Sequence, residues 1–345
     1  MNSRDLVINT LNHEAVDRVP RDWQPSAELE SSWAEEVAEI NGRFPRDIVP
    51  ADFRHPPGKR GKGGPGRAGR YTDAWGCTWR VSQPGAIGQL LDSPLADAGR
   101  IAEYRPPLEL LDETRHRRAR LDALNRQCAE SSRFVLAEVQ AGPFDRLCFL
   151  RGGEAAAADL KSSAEAGRNL LAMLHDFFCR EMEMWSETDV DAVLISDDLG
   201  AGDGSPVDST LWRSTFKTLY RQYCKILHAK DKFVFFRSAG NINGIFGELI
   251  RTDIDAIHLQ PSLLNVERLA KRYRGRVTFC IGIDDSGLLP AGNLEQIREA
   301  VLRLRRALDF GSGGVIAQCS WQADVRIQSI VAMFEQWMSP LPMHV

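Results

Sequence analysis

The sequence predicts an α/β protein folded as a (β/α)8 TIM barrel with helical and hairpin additions at its N-terminal side. Its second half alternates short, almost continuous apolar runs with amphipathic helical stretches, the pattern of parallel strands covered by helices on the outside. Five or six such units fit within residues 131–345, and strands expected near RVPRDW (18–23) and elsewhere in the first half bring the count towards eight. No GxGxxG or GxxxxGK[ST] loop occurs, which weakens the alternative of a doubly wound open sheet with a phosphate-cradling first turn.

The elements follow in order. Leu6, Val7, Ile8 and Leu11 sit among polar residues at helical spacing, and Pro20 closes that segment. Residues 46–70 are rich in Pro, Gly and cations. Within them GKRGKGGPGRAGR (58–70) has five Lys or Arg and no acid. A solvated connection is favoured there over a clamp for an anionic ligand. YTDAWGCTWRV (71–81) alternates aromatic and polar residues, as a β-hairpin does, and is expected to cover part of the barrel mouth. RLCFL (146–150) looks like an apolar strand. From there the strands FVLAEVQ (134–140), DAVLIS (191–196), FVFF (233–236), AIHLQ (256–260), VTFCIGI (277–283) and GVIAQC (314–319) alternate with helices. Those are expected at 164–187, 209–229, near 243–251, 266–273, 294–309 and near 324–337. One domain spans 1–345: an irregular part over 1–130, then regular βα units over 131–345.

Composition bounds the function. A net charge of −4 gives no global field to recruit nucleic acid. No apolar stretch reaches membrane-spanning length, and the first twenty residues lack the core of a secretory signal. Seven cysteines, odd in number, widely spaced and without C-x-x-C, argue against a disulfide framework and for a reducing, cytoplasmic setting.

In a parallel barrel the chemistry gathers where the strands end. After DAVLIS come Asp197 and Asp198, which point to opposite faces, so at most one meets the barrel axis. Each is a candidate acid/base, with a helix cap or loop anchor as the bland reading. FVFF runs into Arg237. A guanidinium there needs a carboxylate or phosphate, supplied by a substrate or by Asp197, Asp198 or Asp284. His258 and Gln260 share a face; His258 is a wall residue or an acid/base group. Asp284 follows VTFCIGI. Cys319 and Trp321 share a face after GVIAQ, and the thiol is packing or a nucleophile activated by Arg237. The expected catalytic set is thus Asp197, Asp198, His258, Asp284 and Cys319. The expected substrate contacts are Arg237, Asn241, Gln260, Arg151 and Trp321.

Read together, LNHEAVDRVPRD, YTDAWGCTW, GPFDRLCFLRGGE, DAVLISDDLG, FFRSAGNI, LIRTDIDAIHLQ, FCIGIDDSGLLPAGNLEQIREAV and GGVIAQC occur in an order and spacing that resembles the uroporphyrinogen decarboxylase superfamily over nearly the whole chain. That group includes the corrinoid-linked methyltransferases that act on thiols. The resemblance implies a barrel with its site at the C-terminal mouth. It also brings in a corrinoid protein and a second copy of the chain as partners. Methyltransferase members hold zinc through a His-x-Cys pair and a later cysteine. Here Arg237 and Ala239 occupy the first two positions and only Cys319 matches, so neither zinc nor another cofactor is expected. The arginine-rich N-terminal grip of the decarboxylase proper is also missing, since PRDWQPSAELESSW offers only Arg21. Two expectations follow. One is a zinc-independent enzyme that decarboxylates, or transfers a methyl or other group on, a small acidic substrate. The other is a binding or partner protein with a decayed site.

Overall fold

The structure is a computed structural model and describes residues 1–83, 88–112, 114–162, 164–200, 207–283 and 287–340. Eleven strands occur among them: β1 Arg21–Pro25, β2 Ile48–Pro50, β3 Gly69–Thr72, β4 Thr78–Val81, β5 Gln89–Asp92, β6 Phe134–Val139, β7 Ala192–Ser196, β8 Phe233–Arg237, β9 Ala256–Leu259, β10 Thr278–Ile281 and β11 Val315–Trp321. Eight form one parallel sheet in the order β1-β11-β10-β9-β8-β7-β6-β2. The two ends of that order meet where the Asp47 N–H donates to the Arg21 carbonyl at 2.9 Å, so the sheet is a nearly closed (β/α)8 barrel.

Strand parity sorts the side chains. Phe134 and Leu136 of β6, Ala192 and Leu194 of β7, Phe235 of β8, Ala256 of β9, Cys280 of β10 and Ile316 of β11 fill the interior. Val7 and Leu11 of the helix Ser3–Leu11 pack into the same cluster and plug the bottom, beside the strand starts. The alternate residues face the outer helices, which is why the strands read as unbroken apolar runs. The helices Glu165–Ser186, Lys217–His228, Val266–Tyr273, Leu294–Leu308 and Ile327–Met338 lie close to where the sequence periodicity puts them.

Three expectations change. RLCFL is part of a helix, Pro143–Arg151, with a proline in its first turn and a buried carboxylate, Asp197, accepting from its first N–H groups. The hairpin at 71–81 carries a third strand, giving the antiparallel sheet β3-β4-β5. It packs through Trp75 on Phe177 and through Trp79 on Phe149, against helices outside the barrel, and contributes no residue to the mouth cavity described below. The barrel strand β2 lies hidden inside the Pro- and Gly-rich 46–70 segment, because three residues are too few for a periodic signal.

Candidate active site

The inward parity that buries Phe134 and Leu136 at the bottom of β6 brings Glu138 to its top. The same rule brings up Ser196 on β7, Arg237 on β8, His258 on β9 and Gln318 on β11. The barrel therefore changes from hydrocarbon to polar side chains towards its C-terminal mouth. A cavity of about 250 Å³ opens there, lined by Asp198, Arg237, His258, Gln260, Gln318 and Ser320 among others.

Arg237 pairs with Glu138 across the mouth, and Ser196 Oγ donates to the same carboxylate oxygen at 3.4 Å. The two charged side chains are 44% and 38% exposed, so their pairing is worth no more than about 1 kcal/mol and can be opened by a competing anion. His258 is only 6% exposed, and its ring lies 6.3 Å from that of Phe235. Burial, and then the neighbouring Arg237 charge, push its pKa down to about 3, so the imidazole is neutral near pH 7. Contact with the Gln318 side chain partly opposes this but falls short of a well-formed hydrogen bond. Among the described residues neither buried ring nitrogen has a well-formed hydrogen bond, the expensive condition for a polar group. Gln260 accepts from the Gly240 N–H at 2.9 Å through its carbonyl, which leaves its NH2 for a ligand.

Asp198 stands at the rim and accepts from the Ala239 N–H at 2.7 Å, fixing the β8 loop. Asp197 points the other way. It is fully buried and accepts from the Phe144 N–H at 3.0 Å, the Asp145 N–H at 2.7 Å and the Tyr220 hydroxyl at 2.6 Å. Burial and the adjacent Asp145 raise its pKa well above the usual range. Gly142 must stay small, because a Cβ there would meet the Asp197 side chain at 2.6 Å. Asp197 is thus a structural cap, the bland alternative of the sequence reading.

The structure brings Asp198, Arg237, His258 and Gln260 together. It moves others away, correcting their expected placement. Cys319 and Trp321 are each 1% exposed and belong to the face between barrel and helices, where the Trp321 indole donates to the Val325 carbonyl at 2.9 Å. They share a face as expected, but it is the outer one. Arg151 is buried in the helix layer, bonded to the Leu95 and Ala96 carbonyls and to Asp159 at 2.8 Å. Asn241 accepts from the Asn243 N–H at 2.9 Å in a local turn and does not line the cavity. Asp284 lies outside the described residues. Sequence reasoning missed Glu138, Gln318 and Ser320. Period-two parity along FVLAEV and VIAQCSW would have found all three, had the inner face been indexed from Phe134 and Ile316.

A zinc site does not fit these residues. The guanidinium of Arg237 and the methyl of Ala239 occupy two ligand positions of the resemblance, and the Cys319 thiol faces the helices. Among the described residues no three His, Cys, Asp or Glu side chains converge as a metal-ligand set.

Comparison with known proteins agrees with the fold. A methyltransferase from Methanosarcina mazei superposes with a TM-score of 0.70 at 13% identity, covering 98% of each chain; at that identity the likeness is one of fold. An endo-β-1,4-xylanase from Gloeophyllum trabeum covers 95% of this chain and 99% of its own at 8% identity. Its TM-score of 0.47 carries no argument. No curated protein sequence matches the chain. The family profile for uroporphyrinogen decarboxylase (URO-D) matches residues 72–336, more than three quarters of the sequence. The chain belongs to the uroporphyrinogen decarboxylase family.

Proposed function

We propose that the protein is an enzyme that acts on a small acidic molecule at the barrel mouth, removing carbon dioxide or transferring a methyl or similar group, without the zinc site of its methyltransferase relatives. The observation that carries this is the pairing of a displaceable Arg237–Glu138 ion pair with a buried, neutral His258 that has no well-formed hydrogen bond among the described residues, on one cavity. A guanidinium takes a carboxylate or phosphate through two parallel hydrogen bonds, and Glu138 is a carboxylate that a ligand can replace. The His258 ring then offers one nitrogen to accept and one N–H to donate at the reacting group, while the Gln260 and Gln318 side chains orient it. An anion on Arg237 also weakens one of the two causes that keep His258 uncharged, which couples substrate binding to proton affinity at the ring.

Zinc is set aside because Arg237 and Ala239 supply no ligand. A corrinoid partner enters only the methyl-transfer branch of this reading. The test is a panel of small carboxylic and phosphorylated acids, scored first by thermal shift and then by mass spectrometry for loss of carbon dioxide or gain or loss of methyl. An acid that stabilises the wild type and is converted, but does neither with Arg237→Gln, supports the reading. Acids that act equally on both proteins defeat it. Binding without any conversion would favour the decayed-site alternative.

A further inference from the structure

The antiparallel sheet β3-β4-β5 carries a second feature, remote from the mouth cavity. Residues 54–81 hold seven Lys or Arg against one acid, a local charge of +6 in a chain whose net charge is −4. That acid, Asp73, is used internally. It accepts from the Trp75 and Cys77 N–H groups and from the Trp79 indole, and it contacts Arg146.

The ladder register then places like charges together. Arg70 is directly opposite Arg80, and Thr72 is directly opposite Thr78. The alternate residues Tyr71 and Trp79 stack on one another, with Trp79 turned to Phe149, so the arginine row occupies the solvent face. Lys62 bridges to Thr72 and joins that face. Lys62, Arg70 and Arg80 are exposed, and none of them forms an ion pair among the described residues. Like charges directly opposed in a ladder destabilise it, and a sequence under no other demand would place an acid or a threonine at one of the two positions.

We infer that this solvent face is a docking surface for an acidic protein segment. The face is one side of a three-stranded antiparallel sheet with its cations spread along two strands, which suits an extended macromolecule better than a small anion. Its aromatic rings are turned inward, so it offers no stacking platform for nucleic-acid bases. The row of two guanidiniums, one ammonium and two threonine hydroxyls, bordered on the β5 side by Gln89 opposite Arg80 and by the exposed Asp92 opposite Thr78, is basic in balance and matches carboxylates presented along an extended acidic chain running on the β3 side of Asp92.

The experiment measures binding of fluorescent poly-L-glutamate to the full chain by anisotropy at 50 and 200 mM salt, with single-stranded DNA and inorganic phosphate as competitors. The expected result is saturable binding that weakens at least tenfold at the higher salt. Arg70→Thr/Arg80→Thr should weaken it at least tenfold, and Lys225→Glu, on a helix elsewhere, less than twofold. The same double variant should melt no lower than wild type, since it relieves the opposed charges, so lost binding cannot be put down to lost folding. The inference is overturned if poly-glutamate binds the double variant as well as wild type, if Lys225→Glu weakens it as much, or if DNA or phosphate competes as effectively as unlabelled poly-glutamate. Arg80→Gln alone, with a several-fold loss expected, repeats the test should the double variant fold poorly.

Discussion

Asp197 and Asp198 are neighbours in sequence and opposites in circumstance. Asp197 sits behind β7, fully buried, with both oxygens engaged by two N–H groups and a tyrosine hydroxyl. Asp198 sits in front of it, at the rim of a cavity that also holds a loosely paired arginine and a histidine with no well-formed hydrogen bond among the described residues. The cluster behind the strand is satisfied and closed, whereas the one in front is incomplete. A buried polar group left without a partner costs free energy, so a fold that keeps one at a cavity has reason to expect a ligand there. Satisfaction of polar groups, and not their number, separates the acidic structural cap from the cavity wall.

The two clusters should respond to mutation in opposite ways. The largest effect is expected behind the strand. Asp197→Ala leaves the Phe144 and Asp145 N–H groups and the Tyr220 hydroxyl without their acceptor, and should lower unfolding free energy by about 3–5 kcal/mol in denaturant titration. A loss below about 1 kcal/mol would break the comparison. In front of the strand, Arg237→Gln should change stability by no more than about 0.5 kcal/mol, because its pair is well exposed. It should nevertheless weaken binding of an acidic ligand by about thirtyfold or more, the loss of a charge-assisted pair. Equal loss of stability and binding would merge the two clusters into one.

A third variant sharpens the contrast through pH. Burial raises the Asp145 pKa from 3.8 to about 6, next to Asp197. Between those values the folded state holds a proton that the unfolded chain has released. Stability therefore falls as pH rises through this window, and the full cost is present above it. Asp145→Asn keeps an oxygen to accept from the Asp198 N–H and removes the charge. It should stabilise the protein by about 1–3 kcal/mol at pH 8 and by almost nothing at pH 4, read from unfolding curves at the two values. The smallest effect belongs to Cys319→Ala, which removes a packed thiol facing the helices. It should cost about 1 kcal/mol of stability and leave turnover unchanged. A large loss of turnover would return the thiol to the reaction.

Much of this molecule was legible in its sequence, for a physical reason. Strands buried on both faces must be apolar throughout, so DAVLIS, FVFF and VTFCIGI announced themselves, and so did the barrel. The same uniformity hid the inner face. Where every residue of a strand is apolar, parity has no visible phase, and Cys319 and Trp321 drew attention that belonged to Gln318 and Ser320. RLCFL misled because five apolar-rich residues fit a strand or a helix. The deciding Asp197 cap comes from some fifty residues downstream. The Arg237 partner was legible as a need and not as an address. Glu138 lies ninety-nine residues away, and only the closed barrel brings it across.

In the proposed function Arg237, and not a metal, anchors the acidic ligand of this barrel. The direct measurement is calorimetric titration of the strongest-binding acid from the panel into three samples: untreated protein, protein stripped with a strong chelator, and Arg237→Gln. The expected result is the same affinity before and after chelation, and a loss of about thirtyfold or more in the variant. Binding that disappears on chelation, returns with added zinc and survives in Arg237→Gln would contradict it.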